Sequence, residues 1–259
     1  MARMDIPARF SLQDRIALVT GAGRGIGRAC AVALAQAGAE VWLMARTRSE
    51  IDQAAAEIRA AGGKAHTVAC DVTDTQEMRK AIAAIPVLDV LVNNAGFNIP
   101  EPFVEVSEEH LDQLLALNVR AAFLVAQAAA RKMLESPERK ERGGAILHMS
   151  SQMGHVGAPN RTVYCLTKHA LEGLTKAMAL EFATQGIRVL SIAPTFVETP
   201  LSAQMMARPE FAQWVRDRIP MARVGQAEEV AAAVVFAASP GASLMTGTSL
   251  VVDGGWTAQ

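Results

Sequence analysis

Residues 19–38 read VTGAGRGIGRACAVALAQAG, which is the end of an apolar run, a glycine-rich turn and then a long alanine-rich stretch. Glycine lets a backbone turn tightly and approach a pyrophosphate, while the following helix offers unpaired N–H groups and the positive end of its dipole. The spacing is Gly-x-x-x-Gly-x-Gly at Gly21, Gly25 and Gly27, because Ile26 interrupts the commoner Gly-x-Gly-x-x-Gly. We interpret the segment as the phosphate-binding turn of a nucleotide site.

The strand that leads into this turn is the first of several short β-branched runs. These runs cover residues 15–21, 40–45, 65–72, 89–96, 145–151, 188–194 and 249–255. Most are continuously apolar, which is typical of strands buried on both faces of a parallel sheet. Alanine-rich segments with helical character lie between them. The alternation, without a linker or a repeat, predicts an α/β fold: a doubly wound, Rossmann-type sheet of seven parallel strands flanked by helices, in a single domain over residues 1–259.

Local signals place the ends of two helices. Thr47 with Glu50 three residues later is a capping-box pattern, and Gly62 can end the same helix. Ser107 is the candidate N-cap of a second helix. The first helix carries its apolar residues on one face, namely Ile51, Ala54, Ala55 and Ile58.

Two segments depart from the strand–helix alternation. Residues 135–144, ESPERKERGG, are interpreted as a charged, solvated surface loop. Residues 195–225 lie between the last two strands and carry methionines, a tryptophan and several arginines. An insert that follows the carboxyl end of a strand is well placed to cover a ligand.

Composition excludes several classes of function. The net charge of −1 gives no indication of a nucleic-acid or membrane-surface partner, and we expect no membrane association because no apolar run approaches the ~20 residues of a bilayer span. Three scattered cysteines predict reduced thiols rather than a disulfide framework. The histidines are dispersed, so we expect no metal site. The N-terminus has no secretory pattern, and together these features predict a cytoplasmic protein.

The residues after the second strand indicate which nucleotide is bound. An NAD site usually has an acid ~20 residues beyond the glycine turn, bonded to the ribose 2′-hydroxyl. This chain has Ala45 and Arg46 there, with no carboxylate until Glu50, and Arg24 adds a second cation in the turn. Guanidinium groups suit a 2′-phosphate, so the pattern favours NADP(H), with NAD(H) as the alternative. Both arginines are also compatible with ordinary surface positions.

Tyr164 is the only tyrosine in the chain, and Lys168 follows it at the spacing that places both on one helix face. A free phenol has a pKa of ~10, and lowering it by ~3 units requires ~4 kcal/mol. One positive charge ~4 Å away, at an effective dielectric constant of ~20, supplies about that much. The pair is therefore adequate for acid–base chemistry at neutral pH.

A hydroxyl precedes this pair at the end of the fifth predicted strand. Ser150 and Ser151 lie there in the sequence HMSSQMG, at the sheet edge where ligands bind in such folds. A hydroxyl there could hold a carbonyl oxygen while the phenol donates to it. A serine at this point could equally cap its own turn.

The ordered motifs TGAGRGIG, CDV, NNAG, LNV, SSQMG, YCLTK and IAPTFVETP closely resemble those of the short-chain dehydrogenase/reductase family. The resemblance extends from about residue 11 to residue 257 and keeps the family's order and spacing. It implies that Tyr164 is the general acid/base, that Lys168 lowers its pKa and holds the nicotinamide ribose, and that Ser151 orients the substrate oxygen. Asn118 would hold a water that links Lys168 to a proton relay.

The resemblance also implies a set of cofactor contacts. Besides Gly21, Arg24, Gly25, Ile26, Gly27 and Arg46, these are Asp71 and Val72 at the adenine, Asn94, Ala95 and Gly96 in the cleft, Tyr164 and Lys168, and Val197 and Thr199 at the carboxamide. Thr195 departs from the pattern, since the family usually has glycine after the proline.

Substrate identity is open at this point. Ser151, Gln152, His155 and Tyr164 are the predicted substrate-binding residues, and Arg161 could also hold a polyol or a carboxylate. Phe97 and the methionines Met205 and Met206 could instead line a channel for an acyl chain. VDGGW at 252–256 resembles the branch with 3-oxoacyl-carrier-protein reductases and sugar or sugar-acid dehydrogenases.

The expected activity is hydride transfer between NADP(H) and a secondary alcohol or ketone of a small polar molecule such as a polyol or sugar acid. The alternatives are a 3-oxoacyl-thioester reductase and a non-catalytic NADP-binding module. The intact Asn–Ser–Tyr–Lys set argues against the module. The family resemblance implies a homotetramer.

Overall fold

The computed structural model describes residues 5–259, with every side chain in that range except those at positions 201 and 204. The strands are β1 (Ile16–Thr20), β2 (Glu40–Ala45), β3 (Lys64–Ala69), β4 (Val90–Asn93), β5 (Gly144–Met149), β6 (Ile187–Pro194) and β7 (Ser249–Val252). The helices are α1 (Ile6–Arg9), α2 (Gly25–Gln36), α3 (Arg48–Ala60), α4 (Thr75–Ala83), α5 (Glu108–Leu115), α6 (Ala122–Leu134), α7 (Arg139–Arg142), α8 (Thr162–Phe182), α9 (Pro200–Met206), α10 (Pro209–Arg218) and α11 (Ala227–Ala238). A π-helical segment, Ala116–Ala121, joins α5 to α6.

The strands form one parallel sheet in the order β3-β2-β1-β4-β5-β6-β7, which confirms the predicted doubly wound architecture. Leu18 in β1 pairs with Trp42 on one side and with Leu91 on the other. The chain therefore reverses its direction of winding between β1 and β4. At such a switch point the connections leave on opposite faces, and a crevice opens at the carboxyl ends of the strands.

Each face of the sheet has its own apolar core. Val19 belongs to the cluster beneath α2, α3 and α11, whereas the adjacent Leu18 belongs to the cluster beneath α4, α6 and α8. Successive side chains of a strand point to opposite faces, so a strand that contributes to both clusters must be apolar at every position. This requirement explains the continuous apolar runs in the sequence.

Two of the three helix-end signals that the sequence predicted are present in the structure. Ser107 accepts a hydrogen bond from the backbone N–H of His110 at 3.1 Å, and Gly62 ends α3 with φ of 85°. The capping box at Thr47 is not formed, because the Thr47 side chain makes no cap bond. Glu50 lies instead against Gly23, where an added Cβ would come within 2.7 Å of the Glu50 carboxylate. The predicted apolar face of α3 is buried throughout.

Residues 135–144 are only in part the solvated loop that their charge suggests, because Glu135, Glu138, Lys140 and Glu141 are exposed but Arg139 is not. Arg139 on α7 is buried, and its Nη1 lies 3.1 Å from the Asp89 carboxylate, at the amino end of the sheet. Arg142 donates to both Asp89 oxygens, at 2.6 and 2.7 Å. Burial raises the pKa of Asp89, but hydrogen bonds from Arg142 and Ile16 and the charges of the arginines outweigh it, so the net pKa is lowered. The segment thus anchors the base of the sheet.

The helical stretch Glu108–Leu134 is long and apolar enough to cross a membrane by those two criteria alone, although no apolar run of that length was expected. Within its most apolar window, 44% of the residues are buried inside the protein. Val125, Ala129 and Met133 of α6 pack on the sheet. The apolar residues of this stretch therefore contribute to the hydrophobic core on one face of the sheet.

Candidate active site

The glycine turn between β1 and α2 has no room for side chains at two points. Gly21 has φ of 64°, a conformation that favours glycine. A Cβ on Gly27 would lie 2.2 Å from the carbonyl oxygen of Gly21 and 2.5 Å from Asn94 Nδ2. Asn94 Nδ2 donates to the carbonyls of Thr20 at 2.9 Å and Gly21 at 3.3 Å. Asn94, expected only to line the cleft, therefore also fastens the turn to the end of β4.

The turn faces a cleft of about 1330 Å³ along the carboxyl ends of the strands. Every residue predicted to contact the cofactor lines this cleft: Gly21, Arg24, Gly25, Ile26, Gly27, Arg46, Asp71, Val72, Asn94, Ala95, Gly96, Tyr164, Lys168, Val197 and Thr199. Arg24 is the N-cap residue of α2 and makes no side-chain cap bond. Its side chain therefore leaves the first N–H groups of the helix unblocked. The donors and the volume of the cleft fit a dinucleotide.

The charges at one end of the cleft fit a dinucleotide with an additional phosphate. Arg24 and Arg46 are both exposed there, and Ala45 stands where an acid would repel a phosphate. Asp71 accepts hydrogen bonds from the N–H and hydroxyl of Thr73, at 2.9 and 2.7 Å. Arg46 Nη1 is 3.9 Å from the Asp71 carboxylate, a loose exposed pair that leaves the guanidinium free to bind a ligand.

Tyr164 and Lys168 lie on the first turns of α8, with Lys168 Nζ 5.4 Å from the centre of the tyrosine ring. The ammonium is buried and donates to the carbonyl oxygen of Met149 at 2.7 Å. Burial lowers the pKa of Lys168 to about 8, and the charge of Glu172, one turn further along, acts in the opposite direction. Glu172 thus helps to keep this lysine protonated.

The pKa of Tyr164 differs from the sequence-based expectation. Burial raises it to about 12, although the residue keeps some contact with the open cleft, and a hydrogen bond involving Ser151 opposes the rise. The groups that lower this pKa are Ser151 and, through its charge, Arg161. Lys168 is not among them, because a lysine with a pKa of about 8 has lost its charge before a phenol with a pKa of about 12 ionises. Burial is the largest cause of the raised phenol pKa, and the lowering by Lys168 that the resemblance implies stays a prediction.

Ser151 combines the two roles that its sequence position suggested. Its hydroxyl accepts from the N–H of Met153 at 3.2 Å and caps the 3₁₀ turn Gln152–Gly154. The same hydroxyl donates to Gln152 Oε1 at 2.9 Å and faces the cleft. The turn fixes the serine beside the phenol.

Asn118 lies buried in the π-helical segment, a type of helical defect that is frequent at functional sites. Its side-chain amide pairs with both backbone groups of Phe97, accepting from N–H at 3.1 Å and donating to the carbonyl at 2.8 Å. Nδ2 also lies 3.3 Å from the hydroxyl of Thr167. These bonds fix the orientation of the amide, and Oδ1 keeps one free acceptor position, so the water that the resemblance implies at Asn118 stays a prediction. The side chain holds the loop that forms the cleft wall.

His155, expected at the substrate, does not line the cleft. Its Nε2 lies 3.0 Å from Ser249 Oγ and 3.4 Å from Glu172 Oε1, on the side of β7. The 3₁₀ turn after Ser151 carries the chain away from the cleft before residue 155. Sequence position between Ser151 and Tyr164 therefore did not imply contact with the substrate.

Four residues that line the cleft each have a buried polar atom without a hydrogen-bond partner among residues 5–259. The atoms are Asn98 Oδ1, Ser150 Oγ, Gln152 Nε2 and Thr195 Oγ1. Buried polar groups are nearly always hydrogen-bonded, so their concentration here indicates that a ligand or water completes the bonding at this cleft. Thr195, noted in the sequence only for replacing glycine, contributes one of these groups. Within residues 5–259, no cluster of His, Cys, Asp or Glu is arranged to hold a metal ion.

The insert after β6 covers the cleft as its position predicted. It forms α9 and α10. Three aromatic rings of the insert pack with one another and with Trp256, with ring centres 5.7–5.8 Å apart in each contacting pair; they are Phe196, Phe211 and Trp214. Met205 lines the main cleft. A side cavity of about 370 Å³, lined by Met153, Ala158, Pro159, Asn160, Arg161, Phe196, Glu210, Phe211 and Trp214, adjoins it.

Comparison with known proteins gives consistent relatives over almost the whole chain. A family model described as enoyl-(acyl carrier protein) reductase matches residues 21–257. Gluconate 5-dehydrogenase of Gluconobacter oxydans (strain 621H) is 39% identical over 98% of this chain and 99% of its own. L-xylulose reductase of Bos taurus is 38% identical over 95% and 98%.

A solved structure is also similar throughout. The gluconate 5-dehydrogenase from Burkholderia cenocepacia J2315, in complex with NADP and tartrate, superposes with a TM-score of 0.93 at 34% identity. The match covers 98% of this chain and 100% of that one.

Proposed function

The chain belongs to the short-chain dehydrogenase/reductase family of oxidoreductases, and we propose that it transfers a hydride between NADP(H) and a secondary alcohol or ketone of a polyol, sugar acid or similar polar compound. The observation that carries this proposal is the placement of Tyr164, Lys168 and Ser151 on one cleft that also fits a dinucleotide. The intact set argues against a non-catalytic module.

NADP(H) is the preferred cofactor in this proposal. Arg46 and Arg24 offer guanidinium groups to a 2′-phosphate, and the Burkholderia relative is described with NADP. The glycine turn and the start of α2 would hold the pyrophosphate, with Asp71 and Val72 at the adenine and Val197 and Thr199 at the carboxamide. When bound, the cofactor supplies or accepts the hydride.

The side chains of this protein supply the proton and the orientation. A phenol with a raised pKa is fully protonated at neutral pH, so Tyr164 is ready to donate its Oη proton to a carbonyl oxygen. Ser151 holds that oxygen from the second side. Lys168, anchored on Met149, presents a positive charge to the ribose and the phenol ring. In the reverse direction the phenol must first lose its proton, so alcohol oxidation rises with pH while ketone reduction falls.

Polar compounds suit the substrate end of the cleft because Asn98, Gln152 and Thr195 have unpaired polar atoms there. The relatives named for gluconate and xylulose support the same class. The second candidate, a 3-oxoacyl-thioester reductase, rests on the apolar side chains of Phe97, Met205 and Phe211 in the same cleft. The two candidates differ in whether the far end of the substrate is charged or apolar.

We also propose a cytoplasmic homotetramer. Large apolar side chains are exposed on helices and at the sheet edge, including Phe123 on α6, Leu166 and Leu180 on α8, and Val251 on β7. Exposed apolar patches mark surfaces that pair with other chains. Light scattering coupled to gel filtration tests the assembly, and a monomer at micromolar concentration would contradict it.

The function is tested by measuring kcat/KM over a panel of polyols, sugar acids, ketoses and acyl thioesters with NADPH/NADP⁺ and NADH/NAD⁺. We expect turnover of polar substrates with a preference for the phosphorylated cofactor. Changing Ala45→Asp together with Arg46→Ile should reverse that preference, because a carboxylate accepts from the 2′-hydroxyl and repels the phosphate. Cofactor binding without turnover of any panel member would favour the non-catalytic module.

A further inference from the structure

Arg161 is a buried cation that has almost no partners. It lies at the N-cap of α8, three residues before Tyr164, and is 8% exposed. Nη1 donates to the carbonyl of Asn160 at 3.0 Å, and Nη2 lies 3.6 Å from the sulfur of Met205. Within residues 5–259 no carboxylate lies within ion-pair distance of it, and burial lowers its pKa.

Arg139 shows what a satisfied buried arginine looks like in this protein. Its guanidinium donates to the carbonyls of Met133 at 2.9 Å and Leu88 at 2.8 Å, to the carbonyl of Gly143, and to the Asp89 carboxylate at 3.1 Å. A guanidinium has five N–H donors in a planar fork, and burial without a counter-charge is unfavourable. Arg161 therefore has N–H donors without acceptors and a positive charge without a counter-charge among the described residues.

The surroundings of Arg161 provide further donors and little negative charge. Gln152 is 1% exposed, and its Nε2 has no partner in the protein. Both residues line the main cleft, whose only acidic residues within the described chain are Glu50 and Asp71, both at the opposite, adenine end. Arg161 also lines the side cavity, where Glu210 is the one acidic residue described. The substrate end of the main cleft thus has two side chains with unused donors, Arg161 and Gln152, and no acidic side chain among its described lining residues.

Resting on the proposed function, we propose that Arg161 and the amide of Gln152 bind the carboxylate of the substrate, which is a small polyhydroxy acid or its keto form rather than a neutral polyol. A guanidinium fork matches a carboxylate through two parallel hydrogen bonds. Arg161 stands at the start of the helix that carries Tyr164, and its charge acts on the phenol, so a small substrate can reach both side chains at once. The 3-oxoacyl group of the acyl-thioester candidate carries no carboxylate near the reacting carbonyl, so it offers Arg161 no such partner.

The test compares two substrates that differ in one charge, D-gluconate and the neutral polyol D-glucitol, in wild type and in Arg161→Gln and Arg161→Lys. We expect Arg161→Gln to lower kcat/KM for the acid by about 100-fold, mostly through KM, and to change the polyol by less than about 3-fold. Arg161→Lys should restore part of the loss, because it keeps the charge but not the fork. Arg79→Gln, an equal charge change on the exposed face of α4, is the matched control.

The neutral polyol separates this role from an indirect one, because the charge of Arg161 also lowers the pKa of Tyr164. An effect that acts through the phenol would reduce kcat for both substrates alike and would overturn the proposal. Arg161 makes no side-chain cap bond, so its replacement should leave α8 and the melting temperature in place. Equal or better wild-type kcat/KM for the polyol would also overturn it.

Calorimetric titration of D-gluconate into the protein with NADP⁺ distinguishes failure of this inference from failure of the proposed function. Binding that Arg161→Gln abolishes, without turnover of either substrate, keeps the anion site and contradicts the dehydrogenase. Turnover of polyols, without any gluconate binding that depends on Arg161, keeps the dehydrogenase and contradicts the anion site. Absence of both binding and turnover contradicts both.

Discussion

At the amino end of the sheet, Asp89 is surrounded by Arg15, Arg139 and Arg142 and by the N–H of Ile16, and its carboxylate is fully paired. At the carboxyl end, Arg161 has one backbone carbonyl and one sulfur as partners, and a group of neutral side chains carries unpaired atoms. Both ends bury charged groups, but only one satisfies them. The difference separates charge that stabilises the fold from charge held ready for a ligand.

The largest expected effect comes from a substitution at the carboxyl end of the sheet that leaves the amino end unchanged. Tyr164→Phe removes the proton donor and should lower kcat by about 10²–10⁴-fold. Cofactor affinity and melting temperature should stay near those of wild type, because the ring and its packing remain. Steady-state kinetics with fluorescence titration of NADPH measures both. Near-normal turnover would mean that the phenol only packs.

The second substitution disrupts only the ion pairs at the amino end of the sheet. Asp89→Asn leaves buried arginines without their counter-charge and should reduce the free energy of unfolding by about 3–5 kcal/mol, with kcat of the folded enzyme unchanged. Because the folded pKa of Asp89 lies below its unfolded value, its stabilising effect is present above about pH 4 and is lost as pH falls through the folded pKa.

Denaturant unfolding of wild type and Asp89→Asn at pH 7 and at progressively lower pH tests this sign. The difference between the two proteins should shrink on acidification. A constant difference across the range would show that packing, and not the ion pairs, accounts for the loss.

Titration of the wild-type phenol sharpens the comparison without any mutation. Since Tyr164 is the only tyrosine, phenolate absorbance near 295 nm reports on this residue alone. Burial should suppress that absorbance around pH 10, where a free tyrosine is half ionised, because its pKa is raised to about 12. Half ionisation below pH 10 in the folded protein without cofactor would reverse the assignment of burial as the dominant cause.

The next effect is smaller and concerns Glu172, the carboxylate among the described residues whose charge acts on Lys168. Glu172→Gln removes a charge that raises the pKa of Lys168, so that pKa should fall below about 8. At pH 8 fewer molecules then carry the charged lysine, and NADPH affinity should weaken by a few fold. At pH 6 the lysine is protonated in both proteins and affinities should agree. A change of the same size at both pH values would point to a packing defect.

The smallest expected effect comes from His155→Ala. The substitution removes contacts with Ser249 and Glu172 on the side of β7, outside the cleft. It should cost about 0.5–1.5 kcal/mol of stability and leave KM for the substrate within about 2-fold. A large rise in KM would show that His155 contacts the substrate after all.

The sequence predicted the sheet well because every strand had to be apolar on both faces, as Leu18 and Val19 illustrate. Lys168 was found because a four-residue spacing on a helix fixes its direction relative to Tyr164. The glycine turn was equally local. In each case one element contains all the information needed.

The errors share a different cause. Arg139 looked solvated because its partner, Asp89, is 50 residues away in the chain, and no local pattern reveals that contact. His155 was misplaced because its ring contacts Ser249, which is 94 residues away in the chain. The raised pKa of Tyr164 comes from burial in the folded protein, which the spacing to Lys168 does not report. None of the three can be predicted from the neighbouring residues alone.

The strand order has a consequence for the folding pathway. The first three strands and the last four meet only along β1 and β4, where Ala17 pairs with Val90 across 73 residues of chain. Closing so long a loop is entropically unfavourable, and topologies dominated by such pairs fold slowly. The crevice and the Asn94–Thr20 bond that fixes the glycine turn both need this junction. A nucleotide therefore cannot bind before β1 and β4 have paired, so a cofactor stabilises the chain only after this long-range contact has formed.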